Sequence, residues 1–411
     1  SDPHQMKDMD RLVEILAQKI RKQVHIRIIG DYDVDGVTSS HLFLTALRRV
    51  GAKVDVVIPH RIQDGYGLSL HLLQQAKEDG VDTILTCDNG IAAIDEIAWA
   101  KAQKMTVLVT DHHAVPFEEH EGRRTEKKSL ADAVVNPHQQ DCGYPYKELC
   151  GAGVAWNVIR VLYENYDMDK REAEDLLDFV AMATVCDVMS LTGENRILVK
   201  EGLKRIRHTK NIGLQALMQA CNVQPENISA YHFGYVLGPC VNATGRLDTA
   251  RHALRLFETG QETEAEEIAR DLVDLNQERK ELTLQGVEMA KKLCEEGGYE
   301  NDPVLVLFLP DVHESIAGLI AGRIREMYNR PVFVLTRGEE GVKGSGRSTE
   351  NYSMYENMCG CAELFTKFGG HPMSAGLSLP EENVEKFRRK INENCPLTVE
   401  EVCPDIHIDM A

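Results

Sequence analysis

The sequence has 411 residues, 43% of them hydrophobic, and a formal net charge of −19, which suits two or three globular domains with sizeable cores. No apolar run approaches the ~20 residues of a membrane-crossing helix, so no membrane partner is expected. The acid excess argues against general nucleic-acid affinity but leaves room for a local basic groove.

The chain opens on Ser1 rather than Met, as a trimmed chain would, and no signal peptide is visible. Its 11 cysteines form no C-x-x-C pair, a pattern that fits reduced thiols in the cytoplasm. Cys359, Cys361, Cys395 and Cys403 offer a zinc alternative, outweighed by ordinary buried thiols.

Short apolar, β-branched runs at 24–29, 54–58, 83–86, 106–109 and 133–135 read as strands. Helical patterns lie between several of them, near 41–49 and at 92–102. This alternation predicts an α/β fold with a mostly parallel doubly wound sheet. The charged stretch 118–128 reads as a surface excursion, and 152–208 as helical. A long helix is expected over 262–295, its apolar positions recurring at helical spacing until Gly297 and Gly298 stop it. A second, smaller α/β pattern follows, with strands at 304–309, 331–335, 342–348 and 375–379 and helices at 315–328 and 384–392. The expected domains are 1–257, a connecting helix 258–298, and 299–411.

The informative polar residues fall at strand ends. The first strand runs into Asp31-Tyr32-Asp33-Val34-Asp35-Gly36, the third into Asp88-Asn89-Gly90, and the fourth into Asp111-His112-His113. In open α/β sheets the ligand site lies outside the carboxyl ends of strands. Crowded carboxylates repel one another unless a cation joins them, and mixed Asp and His donors suit Mn²⁺, Mg²⁺ or zinc, as a pair of ions. Alone, each cluster reads as a turn or a helix cap; three at successive strand ends point to a metal centre. A dinucleotide-binding oxidoreductase would place a glycine-rich fingerprint after the first strand, where acidic residues stand instead.

These residues resemble the DHH phosphoesterase superfamily, named for the triplet present here as Asp111-His112-His113. Asp33-x-Asp35-Gly36, Asp88-Asn89-Gly90 and Ala183-Thr184-Val185-Cys186-Asp187-Val188 look like its other motifs. Gly369-Gly370-His371, followed by Ala375-Gly376, resembles the hallmark of the DHH-associated domain. Further stretches are similar to RecJ-like exonucleases. They include Ile58-Pro59-His60-Arg61 with Gly65-Tyr66-Gly67, Asn136-Pro137, Tyr144-Pro145 and Gly151-Ala152-Gly153-Val154-Ala155. Asn242-Ala243-Thr244-Gly245-Arg246 and Gly344-Ser345-Gly346-Arg347-Ser348 extend the likeness over nearly the whole chain.

The resemblance implies a single-stranded-DNA-specific 5′-to-3′ exonuclease of recombination and repair, releasing 5′-mononucleotides, with its active site in the cleft between domains. Asp33, Asp35, Asp88, His112 and Asp187 would hold two divalent ions, Mn²⁺ in preference to Mg²⁺. Asp31 and His113 would act beside them, and His371 would stabilise phosphoryl charge. Arg61, Arg246, Ser345 and Arg347 would receive the 5′ phosphate, with Asn89, Gly369 and Gly370 also facing substrate. Single-stranded DNA, a single-strand-binding protein and a helicase are the implied partners. The family's C-terminal OB-fold is expected to be missing, since the chain stops at about its start, in Asp405-Ile406-His407-Ile408-Asp409. Two alternatives remain: a phosphodiesterase acting on short oligonucleotides or small nucleotides, and a non-catalytic replication scaffold. The filled ligand positions weigh against the scaffold.

Overall fold

The computed structural model describes residues 1–397 apart from 62–63, 65–66, 121–122, 300–301 and 339–340. Gly65, Tyr66, Cys403 and the terminal stretch 405–409 lie outside the described residues. The chain divides into two units, Ser1–Asn276 and Gln277–Ala411.

In the first unit, α1 (Met9–Arg21) precedes β1 (Ile26–Ile29) and α2 (Val34–Arg49). Then come β2 (Val54–Val57), α3 (Leu70–Glu78), β3 (Thr83–Cys87), α4 (Ile94–Ala102) and β4 (Thr106–Thr110). The stretch read as a charged excursion is a hairpin of β5 (Phe117–His120) and β6 (Arg123–Glu126), paired antiparallel. Its polar composition hides the strand signal, because no core face imposes alternation on it. β7 (Ala133–Val135) completes the sheet.

The sheet order is β2-β1-β3-β4-β7, and every pairing is parallel. The aliphatic residues of β1, β3 and β7 are buried throughout, as expected of a sheet covered on both faces. From β1 the chain steps to β2 on one side and then crosses to β3 on the other. That reversal between β1 and β3 is a topological switch point, where α/β sheets open a crevice for ligands.

α2 starts seven residues before the helix expected near residue 41. Asp33 is its N-cap, accepting from the Gly36 amide at 3.0 Å, so the acidic motif is itself the helix start. A helical layer follows: α5 (Gly151–Asn165), α6 (Lys170–Glu174), α7 (Leu177–Cys186), α8 (Gly193–Arg205) and α9 (Ile212–Ala220). Next is a rod of α10 (Ala230–His232), a π-helical turn (Phe233–Leu237) and α11 (Gly238–Leu247), then α12 (Ala250–Glu258). The long helix α13 (Glu262–Glu296) carries the boundary between units.

The second unit holds β8 (Leu305–Phe308), α14 (Ala317–Tyr328), β9 (Val332–Gly338), β10 (Gly341–Arg347), α15 (Met354–Cys359), β11 (Lys367–Gly370), β12 (Ser374–Leu379) and α16 (Val384–Glu393). Its sheet order is β11-β12-β10-β9-β8, parallel only between β8 and β9. Gly369-Gly370 closes strand β11, which the sequence reading did not place. Cys361 is buried and Cys359 exposed. Among the described residues, no group able to hold an ion includes a cysteine. No helix among them is long and apolar enough to cross a membrane.

His41 illustrates how the first unit's core constrains a titratable group. Its buried ring packs against Phe179 and Phe257, with centroids 4.5 and 5.8 Å away. Burial, helped by Arg48, pushes its pKa down to about 3 from the usual 6.5. Above that usual value both states hold a neutral ring. As pH falls below it, only the unfolded chain takes up the proton, and stability falls by about 1.4 kcal/mol per pH unit from this group. Denaturant titrations across this window should show a correspondingly shallower loss for His41→Leu than for the wild type. Parallel curves would reject a buried neutral ring.

Candidate metal centre

Three strand ends and one helix end supply the site. Asp31 and Asp33 follow β1, Asp35 lies in the first turn of α2, Asp88 follows β3, and His112 and His113 follow β4. Asp187 is the C-cap of α7. The His112 Nε2 atom lies 3.1 Å from Asp88 Oδ1 and 3.6 Å from both Asp35 Oδ2 and Asp187 Oδ2. Three overlapping groups have donor atoms within 4.8 Å of one another: Asp31, Asp33 and Asp88; Asp35, His112 and Asp187; and Asp88, His112 and His113. Asp31 thus joins the donors, where the sequence reading sets it beside them.

Backbone geometry holds these groups in place. The first amides of α5 point at Asp35, Gly151 N donating to Oδ2 at 2.6 Å and Ala152 N to Oδ1 at 2.7 Å. A helix N-terminus is a natural anion holder. Asp88 adopts a left-handed backbone, φ 61°, a conformation costly for a non-glycine residue. A Cβ on Gly151 would come within 2.6 Å of the Asp88 Cβ, so only glycine lets α5 start so close.

Asp111 has a different task. Its carboxylate accepts from the amides of Ile91, His112 and His113 at 2.8, 2.7 and 3.0 Å, and meets His113 Nδ1 at 2.7 Å. It fixes the histidine loop, as the first residue of a triplet whose histidines drew the attention. Asn136, from another quoted motif, donates to the His113 carbonyl at 2.9 Å. Asn89, expected to face substrate, is buried. Its amide nitrogen donates to Ile29 O at 3.1 Å and Cys87 O at 2.9 Å, so it clamps β1 to β3.

Electrostatics makes the cluster incomplete without a cation. Burial, then the Asp33 and Asp35 charges respectively, push Asp31 and Asp88 well above the ordinary carboxylate range. Burial and Asp35 raise Asp33 as well, and lift Asp187 to about 8. Burial lowers His112, favouring the neutral imidazole that a metal requires. Burial is the largest influence on His113 and opposes its charge, but the Asp111 hydrogen bond and the charges of Asp111, Asp187 and Asp35 together exceed it and raise the ring to about 9. Asp31 Oδ1 and His112 Nε2 are buried and make no hydrogen bond within the described residues. Orphaned acceptors among mutually repelling carboxylates fit divalent ions.

Of the expected phosphate-binding residues, Arg61 and Arg246 lie in the first unit. The Arg61 guanidinium stands 4.8 Å over the Tyr32 ring, and both arginines place positive charge beside Tyr32. Ser345, Arg347, Gly369, Gly370 and His371 lie in the second unit. Ser345 on β10, Gly376 on β12 and Gly369 on β11 stand in register across three strands. Arg347 ends β10, its guanidinium over Gly318 of α14, where a Cβ would come within 2.8 Å of it. The His371 side chain is exposed beyond β11, with its amide donating to Ser374 O at 2.8 Å.

The parallel sheet, with acidic and imidazole donors at its switch point, defines the class as a DHH-type phosphoesterase core. Residues 25–184 match the DHH family, N-terminal domain, and residues 301–395 match the DHHA1 domain. The single-stranded-DNA-specific exonuclease RecJ of Haemophilus influenzae is 36% identical over 410 residues, covering 95% of this chain and 70% of that protein. RecJ of Bacillus subtilis is 34% identical over 100% of this chain and 50% of its own length. The crystal structure of RecJ from Thermus thermophilus in complex with Mn²⁺ superposes with a TM-score of 0.80 at 30% identity, covering 94% of this chain and 54% of that one. The chain belongs to the RecJ family of exonucleases. It spans roughly half to two thirds of these relatives' lengths.

Replacing one carboxylate should separate repulsion from metal binding. Without metal, Asp88→Asn should raise the melting temperature, by about 2–4 °C for each kcal/mol of repulsion relieved. Mn²⁺ at a hundredfold excess over its Kd should stabilise the wild type by about 2.7 kcal/mol and the variant far less. Equal Mn²⁺ shifts in a thermal melt would remove Asp88 from the donor set.

Proposed function

We propose that the chain is the nuclease core of a metal-dependent exonuclease that degrades single-stranded DNA from its 5′ end to 5′-mononucleotides, in DNA recombination and repair. The observation that carries the proposal is the gathering of Asp31, Asp33, Asp35, Asp88, His112, His113 and Asp187 into three overlapping groups, each with donor atoms within 4.8 Å of one another. Membership of the RecJ family supports the choice of substrate. The full donor set speaks against a scaffold without catalysis.

In this reading Asp33, Asp35, Asp88, His112 and Asp187, together with Asp31, hold two divalent cations, Mn²⁺ or Mg²⁺. Bound there, such ions supply Lewis acidity toward the phosphodiester and its leaving oxygen and make water a nucleophile at neutral pH. Asp111 keeps the His113 ring charged and oriented, 4.0 Å from Asp88 Oδ1, where it offsets part of the substrate's negative charge. Arg61 and Arg246 in the first unit, and Ser345 and Arg347 in the second, bind phosphate, arginine through its planar two-pronged donor geometry. His371, at the end of a glycine strand, donates to a phosphoryl oxygen and stabilises the charge that develops there. A helicase and a single-strand-binding protein in the cytoplasm would supply the strand.

End-labelled single strands incubated with Mn²⁺ test this directly. Label should leave the 5′ end first, as mononucleotides, and duplex should resist. Asp88→Ala should lower the rate by at least about a thousandfold, a loss on the scale of removing a main transition-state stabiliser. Arg246→Ala and Arg347→Ala should each weaken the preference for a 5′-phosphorylated over a 5′-hydroxyl end by about tenfold, the effect of one charge-assisted contact. Consumption from the 3′ end, or an unchanged end preference in both variants, would overturn the assignment.

A further inference from the structure

The rod of α10, the π turn and α11 carries two aromatic side chains that no part of the metal centre uses. Tyr231 and Tyr235 are 62% and 72% exposed. Their rings are stacked, with centroids 5.2 Å apart and planes 25° from parallel, and the His232 ring meets Tyr231 edge-on. Between Ile197 and Leu284 they are the only exposed large hydrophobic side chains among the described residues. The stacked, exposed rings offer π-faces to a ligand.

The rod that holds them is anchored in the core and packed against two of the donor segments. Phe233 and Leu237 anchor it in the core. Ser229 caps its start, with its amide donating to His232 Nδ1 at 3.1 Å. The Cys186 thiol, next to Asp187, donates to the Phe233 carbonyl at 3.3 Å, and a Cβ on Gly238 would collide with that sulfur at 2.4 Å. Further along the rod, Asn242 Oδ1 accepts from the Val34 amide at 3.1 Å, and a Cβ on Gly245 would lie 2.4 Å from Tyr32 O. One rod therefore packs against two of the four donor segments, those of Asp33 and Asp187, and carries Arg246 near its C-terminal end. Wide π turns of this kind recur at functional sites.

We infer that Tyr231 and Tyr235 form a stacking platform for the bases of a single nucleic-acid strand as it approaches the metal centre. The inference rests on the nuclease reading above. Aromatic rings hold unpaired bases without regard to sequence, because every base has a π-face. Tyr235 lies roughly 16 Å from Arg246 along the rod, at 1.5 Å per residue. A strand with its 5′ phosphate at Arg246 therefore meets the platform with bases further into the chain.

The test is binding of a fluorescein-labelled long oligothymidylate without added metal, followed by anisotropy, beside steady-state digestion with Mn²⁺. Replacing both tyrosines by alanine should weaken binding roughly 5- to 150-fold for each base unstacked. The change should appear in KM rather than kcat, and should shrink for a dinucleotide too short to reach the platform. The double Tyr→Trp variant keeps the rings and should bind at least as well as the wild type. If the alanine variant binds like a wild type that digests the strand, or tryptophan fails as alanine does, stacking is rejected and the nuclease reading stands. If the wild type neither binds nor digests the strand, both readings fall.

Discussion

Five carboxylates and an imidazole share the space beyond β1, β3 and β4, and in low dielectric such a group repels itself by several kcal/mol. Much of the surrounding architecture answers that repulsion. The amides of Gly151 and Ala152 hold Asp35. The Gly36 amide holds Asp33. Asp111, satisfied by three amides and a charged ring, fixes the histidines without joining them. The left-handed backbone of Asp88 survives because the elements around it are over-determined. Strain and unpaired acceptors collected at one place mark a site built for a ligand rather than for stability.

The same constraint decides how much of the site can be read from sequence. Asp31, Asp33, Asp88 and His112 stand at the ends of apolar runs, and the parallel-sheet rule alone gathers them. Asp187 has no such signal. It caps a helix 75 residues beyond His112, and only a resemblance picks it from among ordinary helix-end carboxylates. Asn89 and Asp111 stand beside the candidate donors, and nothing in a one-dimensional pattern says which carboxylate or amide turns inward to clamp the backbone. The early start of α2 is hidden because Asp33, Asp35 and Gly36 look like a loop until one of them caps the helix. The β5–β6 hairpin escapes because its sequence shows no apolar alternation.

In the second unit the glycines matter for what they omit. Gly369 and Gly376 stand in register beside Ser345, leaving bare backbone on two adjacent strands. An unadorned strand surface lets a phosphate chain approach amides that side chains would otherwise fence off. The sequence reading caught the motif through its resemblance but placed no strand there, because paired glycines are the usual punctuation between elements.

The position of Asp187 sets a preference among ions. A helix end exposes unsatisfied carbonyls worth roughly half a negative charge, and α7 presents that pole to a cluster already dense in anions. The positive poles of α2 and α5 offset only the carboxylates they hold. A sodium or potassium ion would leave most of this field uncancelled, whereas a pair of doubly charged ions offsets most of it. Charge alone thus weights the cluster toward divalent over monovalent cations, without a pore or cage of fixed diameter.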